Sequence, residues 1–102
     1  MALKNAREEL YDLVREIPVG KVAGYGQLGK LLSTPVSGLI VGKWMASAPP
    51  DVPWQRVIGA DGSIKTFGRG PEFGIEQRQL LEGEGVVFNG ECAESRFFVD
   101  WE

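Results

Sequence analysis

The chain contains no histidine and a single cysteine, Cys92, among its 102 residues. Without histidine it lacks the side chain that most often serves as a general base near neutral pH. One thiol with no imidazole cannot make a conventional zinc site either. A lone cysteine also excludes an internal disulfide, which is the usage expected of a reducing compartment. No apolar run approaches the ~20 residues needed to span a bilayer as a helix, so no membrane partner is expected. The segment Met1-Ala2-Leu3-Lys4-Asn5-Ala6-Arg7-Glu8-Glu9 has no apolar core of the kind that marks a signal peptide. The expectation is a cytoplasmic protein, monomeric, with no cofactor and no metal.

What the chain does have is enough apolar material for one compact core. Its hydrophobic content is 43%, with three Trp, five Phe and two Tyr, and no linker, repeat or low-complexity segment divides it. One domain over residues 1–102 is expected. The net charge of −3 argues against nucleic acid only until it is mapped. From Gly20 to Arg69, six cations (Lys21, Lys30, Lys43, Arg56, Lys65, Arg69) stand against Asp51 and Asp61. From Gly70 onward, Arg78 and Arg96 face eight acids. A cationic middle beside an acidic tail suits a protein with one anion-binding face, although scattered charge on a solvated surface gives the same count.

Periodicity places the elements. Leu3, Ala6, Leu10, Leu13, Val14 and Ile17 recur at helical spacing and predict a first helix closed by Pro18. Val19 to Gly24 reads as a loop. A second helix is predicted over about Tyr25 to Leu32, burying Leu28, Leu31 and Leu32. Ser33-Thr34-Pro35 reads as a tight junction, with Thr34 as N-cap and Pro35 in the first helical position of a third helix reaching Ala46. Val41 and Met45 would face the core. Two short helices so joined read as a helix-turn-helix, whose second helix would meet a DNA groove. Ser37, Gly38 and Gly42 are small for a helix, where Gly costs about 1 kcal/mol relative to Ala. Close approach of a phosphate strand and a tight helix crossing explain that choice equally well.

Further on, Asp61-Gly62 between Val57-Ile58 and Ile64-Lys65-Thr66 predicts a hairpin. A fourth helix is predicted from Glu72 to Glu82, closed by Gly83 or Gly85. Val86-Val87-Phe88 and Phe97-Phe98-Val99 predict a terminal hairpin around Asn89-Gly90-Glu91. The fold class expected is α+β, predominantly helical: a winged-helix-like helix-turn-helix domain with short β-hairpins.

The segment Pro53-Trp54-Gln55-Arg56-Val57, after the Pro-rich bend Ala48-Pro49-Pro50-Asp51-Val52, has the frame of a reaction centre without reactive groups. Indole offers an N–H donor and a π face, and a carboxamide cannot take a proton at neutral pH. Such a segment suits binding rather than conversion.

The order of motifs resembles the DNA-binding domain of O6-alkylguanine-DNA alkyltransferases. The residues that carry the resemblance are Ile17 to Val22, Tyr25-Gly26-Gln27-Leu28, Val41-Gly42, Pro53 to Ile58, Gly62 and Leu80 to Val86. In that family a Pro-Cys-His-Arg segment supplies the thiolate that accepts the alkyl group. Here Trp54 and Gln55 stand at the Cys and His positions, so the chain is most similar to the alkyltransferase-like proteins. The resemblance implies a non-enzymatic sensor that binds and flips O6-alkylguanine in duplex DNA, leaves the alkyl group in place and directs the lesion to nucleotide excision repair proteins. It implies that Tyr25 helps rotate the nucleotide, and that Trp54 walls a lesion pocket near Tyr25, Met45, Val57, Phe67, Gly68 and Arg69. It implies a DNA-binding face including Tyr25, Ser37, Gly38, Leu39, Gly42 and Arg56, with Arg56 bracing the turn or meeting DNA backbone. Arg69 would engage a purine edge or a phosphate. Of the family's Cys-His-Glu relay only Glu84 remains. Leu39 stands where the family carries an Arg finger, and Ala48 where it carries a hinge Asn. The apolar wedge can fill the gap left by a flipped base but cannot hydrogen-bond the orphaned cytosine. Alternatives are an alkyl acceptor using Cys92 and a helix-turn-helix regulator that reads sequence, for which Ser37-Gly38-Leu39 offers few base-reading groups.

Overall fold

The computed structural model describes residues 5–101. Helix α1 covers Ala6–Arg15. Asn5 caps it: the Asn5 side chain accepts from the Glu8 N–H at 2.8 Å, and the Glu8 carboxylate accepts in return from the Asn5 N–H at 3.4 Å. This reciprocal pair satisfies two donors that a helix start otherwise leaves open. The expected Leu3 start lies outside the described residues. The helix stops at Arg15, three residues before Pro18, yet Ile17 still enters the core.

Strand β1 is Ala23–Gly24 and runs directly into α2, Tyr25–Leu31. Helix α3 is Gly38–Met45. The predicted start at Pro35 is corrected: Ser37 is the N-cap, accepting from the Ile40 N–H at 3.3 Å. Before it the chain is extended, with the Val36 N–H donating to the Gly29 carbonyl at 3.1 Å. Leu28 and Leu32 are buried as expected, whereas Leu31 is 42% exposed. Val41 and Met45 do face the core.

A 3₁₀ turn, Trp54–Arg56, leads into β2, Val57–Ile58. Strands β1 and β2 pair in parallel, Ala23 with Val57 and Gly24 with Ile58. The segment read as loop before Tyr25 is thus partly strand, and the predicted hairpin partner Ile64-Lys65-Thr66 is not a strand. A turn does form there, the Gly59 N–H donating to Ser63 O at 2.8 Å, with Gly62 at φ 91°. Helix α4 is Pro71–Gly83, closed by Gly85 at φ 100°. The terminal hairpin exists with a different second strand: β3, Phe88–Asn89, pairs with β4, Cys92–Ala93. Phe97-Phe98-Val99 instead flanks Val22, whose N–H donates to Phe97 O at 2.9 Å and whose carbonyl accepts from the Val99 N–H at 2.8 Å.

The result is a small α+β fold of four α-helices and short strands. Successive residues of β2 serve two cores, because strand side chains alternate between faces. Val57 packs with Leu10, Val14, Leu28 and Val41. Ile58 packs with Val22, Leu81 and Val86. The parallel pair therefore fixes Tyr25, which follows β1, relative to Trp54–Arg56, which precede β2.

Candidate nucleic-acid interface

Trp54 sits on a short turn whose supports come mainly from α4 and from Glu84 just beyond it. The Trp54 ring packs on Phe73 of α4, centroids 4.8 Å apart, and the Arg69 guanidinium lies 3.8 Å over the opposite partner of that stack, the Phe73 ring. Cation–π contacts of this kind restrain a loop arginine that would otherwise range through solvent. The Arg69 Nε also donates to Thr66 O at 2.9 Å. A cavity of about 380 Å³ opens beside these groups, lined by Met45, Trp54, Arg69 and Phe73 and by the bend at Ala48, Pro49 and Pro50, with Ala46. That volume lies within the range of about 300–1,000 Å³ usual for small-ligand sites. A cleft of about 590 Å³ lies between α2 and residues Val99 to Trp101 and contains none of the expected pocket residues.

Of those expected residues, Met45, Trp54 and Arg69 line the cavity. Tyr25 and Phe67 meet edge to face at 5.0 Å, with rings at 83°. Burial pushes the Tyr25 hydroxyl above its ordinary value, and the charge and hydrogen bond of Arg69 oppose the shift. Tyr25 and Arg69 are thereby neighbours, so the Tyr25–Phe67 pair adjoins the cavity. Four of the expected residues, Tyr25, Phe67, Val57 and Gly68, are not part of the cavity lining. Val57 is fully buried beneath the turn and does not line the cavity. Gly68 is an exposed loop residue at φ 83° with nothing within 4 Å of its would-be side chain. Phe73, Pro49 and Pro50 were not anticipated. Phe73 carries a readable signal, since Phe73, Gln77 and Leu81 repeat every four residues along α4.

On the edge expected to face DNA, Leu39 is 58% exposed and Ile40 beside it 38%. Ser37 is exposed, with its hydroxyl engaged as the α3 cap. The two glycines lie against protein: Gly38 at the crossing with α2, one of the two expected reasons, and Gly42 against the ring of a loop residue, which is neither of them. A Cβ on Gly38 would stand 3.1 Å from the Gly26 N, and one on Gly42 only 2.4 Å from the Phe67 ring. Gly42 is thus roofed by Phe67 and is not a DNA-facing surface. Phe67 holds this seat with φ 51°, in the left-handed region that non-glycine residues rarely adopt.

Arg56 braces the turn, the first of the two roles expected of it. Its Nε donates to Glu84 Oε1 at 2.9 Å, its Nη2 to Glu84 Oε2 at 3.1 Å and its Nη1 to Ile17 O at 2.9 Å. The side chains of this pair are 14% and 15% exposed. Glu84 also accepts from Gln55 Nε2 at 2.8 Å and from the Gly20 N–H at 3.2 Å. Burial alone would raise the Glu84 carboxyl, but the bonds from Arg56, Gln55 and Gly20 together hold it below its ordinary value. With four donors converging on it, this carboxylate anchors the turn. Cys92 lies apart, in β4 with Asn89 opposite and Ser63 bridged to it. Its surroundings are Asp61, Glu94 and Arg96, none of which lines the Trp54 cavity. Among the described residues no cluster of acidic or thiol side chains could hold a metal ion, and no helix is long and apolar enough to cross a membrane.

Comparison with known proteins agrees with this geometry. Residues 5–86 match the family described as 6-O-methylguanine DNA methyltransferase, DNA binding domain. A Schizosaccharomyces pombe protein named alkyltransferase-like protein 1 is 38% identical over 82 residues, covering 76% of this chain and 73% of that one. A Vibrio parahaemolyticus protein named DNA base-flipping protein is 35% identical over 80 residues, covering 76% and 77%. In three dimensions the chain superposes on S. pombe Atl1 in complex with damaged DNA containing O6-carboxymethylguanine. That match has a TM-score of 0.80 and 30% identity, over 98% of this chain and 99% of the other.

Proposed function

Because the chain belongs to the family of the 6-O-methylguanine DNA methyltransferase DNA-binding domain, we propose that it is a non-enzymatic sensor of O6-alkylguanine in duplex DNA. In this reading it flips the damaged nucleotide, holds it with the alkyl group intact and directs it to nucleotide excision repair proteins. It acts as a cytoplasmic monomer. The observation that carries the proposal is Trp54 on the wall of the cavity beside Met45, Arg69 and Phe73, in a frame that offers no nucleophile.

The physical steps follow from the residues. Guanine O6 is inaccessible inside the duplex, and extruding the nucleotide costs a few kcal/mol. Leu39, exposed near the start of α3, is the apolar group placed to enter the vacated stack. Tyr25 presses the backbone from the start of α2. The extruded base then meets the Trp54 indole, where stacking contributes about 1–3 kcal/mol per base, with the Arg69 cation at the rim. Alkyl transfer would require a thiolate with a base to activate it. Trp54 and Gln55 supply neither, and Glu84 is engaged by Gln55, Arg56 and Gly20.

The acceptor reading based on Cys92 is disfavoured by that residue's separate surroundings. The sequence-reading regulator is disfavoured by the apolar edge at Leu39 and Ile40. The test is binding to a short duplex with one O6-methylguanine against the same duplex undamaged, followed by intact-protein mass. Preference for the lesion with unchanged mass is expected. A gain of one methyl group would overturn the non-enzymatic reading, and equal binding would overturn the sensor.

A further inference from the structure

Gln77 occupies a position where a leucine would be expected. It lies between Phe73 and Leu81 on the inward face of α4, at four-residue spacing, and its side chain is fully buried. Its Nε2 donates to the carbonyl of Gln55 at 3.0 Å and to the carbonyl of Val57 at 2.9 Å. A carboxamide has two N–H donors, and these two bonds use both. Its Oε1, by contrast, is buried without a partner among the described residues. A buried acceptor left unmade is unfavourable, so the residue is not there for its contribution to an apolar core. What the amide secures is specific: the backbone on either side of Arg56, directly after Trp54.

The same helix face supplies a second hold. One turn before Gln77, Phe73 packs against the Trp54 ring, and just after the helix Glu84 takes the side chains of Gln55 and Arg56. Ring, backbone and side chains of one short turn are thus tied to a single rigid element. Of these ties, only Gln77 grips the turn's own peptide groups, and without it the Gln55 and Val57 carbonyls would lose this donor.

We propose that Gln77 is a positioning residue for the lesion pocket, fixing the direction in which Trp54 presents its indole face. The inference rests on the sensor reading for its consequence in DNA binding, but the geometric claim can be tested without DNA. The experiment uses the full chain labelled with 5-fluorotryptophan, whose resonances for Trp44, Trp54 and Trp101 are assigned by single Trp→Phe changes. Gln77→Met keeps the volume and removes both donors, while Gln77→Asn keeps the amide on a stem too short to reach both carbonyls. In each folded variant the Trp54 resonance should shift and broaden while those of Trp44 and Trp101 stay in place. In parallel, preference for the O6-methylguanine duplex over the undamaged one should fall about tenfold in the Met variant, the equivalent of one to two hydrogen bonds. Affinity for undamaged DNA should change less than about twofold, well under one hydrogen bond.

An unmoved Trp54 resonance in either folded variant, or a common shift of all three, would overturn the proposal and leave Gln77 a general stabiliser. A wild type without lesion preference whose Trp54 resonance still responds selectively would uphold the positioning and overturn the sensor. Should Gln77→Met not fold, the Asn variant decides on the same criteria.

Discussion

Two regions of this small domain differ in how their side chains are held. In the frame behind Trp54, Gln55, Arg56, Gln77 and Glu84 are joined to one another and to backbone by a continuous set of hydrogen bonds. Along the outer edge of α3, Leu39 and Ile40 project apolar surface into solvent, and the neighbouring Phe67 loop runs through three left-handed residues, Phe67, Gly68 and Gly70. The first region is built to keep a direction fixed. The second is finished only when something else covers it. The sensor proposed above would need both: a rigid surface against which a base is tested, and an apolar edge to meet the helix being opened.

Breaking the frame should have the largest effect. Glu84→Ala leaves the Arg56 guanidinium part-buried without its carboxylate, and loss of a buried partner of this kind costs about 2–3 kcal/mol. For a chain of this size that lowers the thermal midpoint by roughly 10–20 °C, which thermal denaturation by circular dichroism would show. A change at the edge should act on binding and spare stability. Leu39→Arg restores a cation at the wedge, so lesion binding should tighten several-fold and the salt dependence should steepen by about 0.9 in log–log slope, one phosphate contact. Titration at several salt concentrations reads both, and unaltered binding would remove Leu39 from the interface.

Smaller effects sharpen the contrast. Glu84 is held below its ordinary value, so its stabilisation is complete above the usual carboxylate range and is lost as pH falls through its depressed folded value. Glu84→Gln should therefore lower stability by a constant amount above about pH 5 and flatten the fall below it, so that the two profiles converge in acid, as seen in denaturant melts across pH. Gly42→Ala would push its new methyl against the far end of the Phe67 ring. The helix gains up to about 1 kcal/mol from the substitution, which offsets the displaced ring, so the thermal midpoint should barely move. The Tyr25–Phe67 proximity, followed by nuclear Overhauser contacts, should weaken instead. Smallest of all, Asp51→Asn removes an exposed pair with Arg15 and should leave both stability and binding unaltered, since exposed ion pairs contribute little.

Much of this was legible because long amphipathic segments announce themselves. Helices α1, α2 and α4 follow from apolar spacing and from Gly85 at the end of α4. The start of α3 misleads because Thr34-Pro35 imitates a cap and first turn. Ser37 prevails there, since the Val36 N–H is committed to the Gly29 carbonyl and keeps the preceding residues extended. Two-residue strands are too short to show a period, so apolar spacing does not reveal β1, and Phe97-Phe98-Val99 reads as the partner of β3 although it bonds to Val22. At the site, Trp54, Met45 and Arg69 could be placed through resemblance. Gln77 could not: a single polar residue in a four-residue apolar repeat becomes informative only once the two carbonyls it meets are known.

The parallel pair of Ala23–Gly24 with Val57–Ile58 has a consequence for how the molecule comes into being. The two strands are separated in sequence by both helices of the α2–α3 pair, so their pairing closes a long loop, an entropic cost that favours a late union. Tyr25 and Trp54 reach their mutual positions only at that closure. Stopped-flow refolding of a Trp44→Phe, Trp101→Phe variant followed by indole fluorescence should show Trp54 entering its final environment with the main cooperative phase and not before it. A chain that is only partly folded then has helices but lacks the cavity beside Trp54.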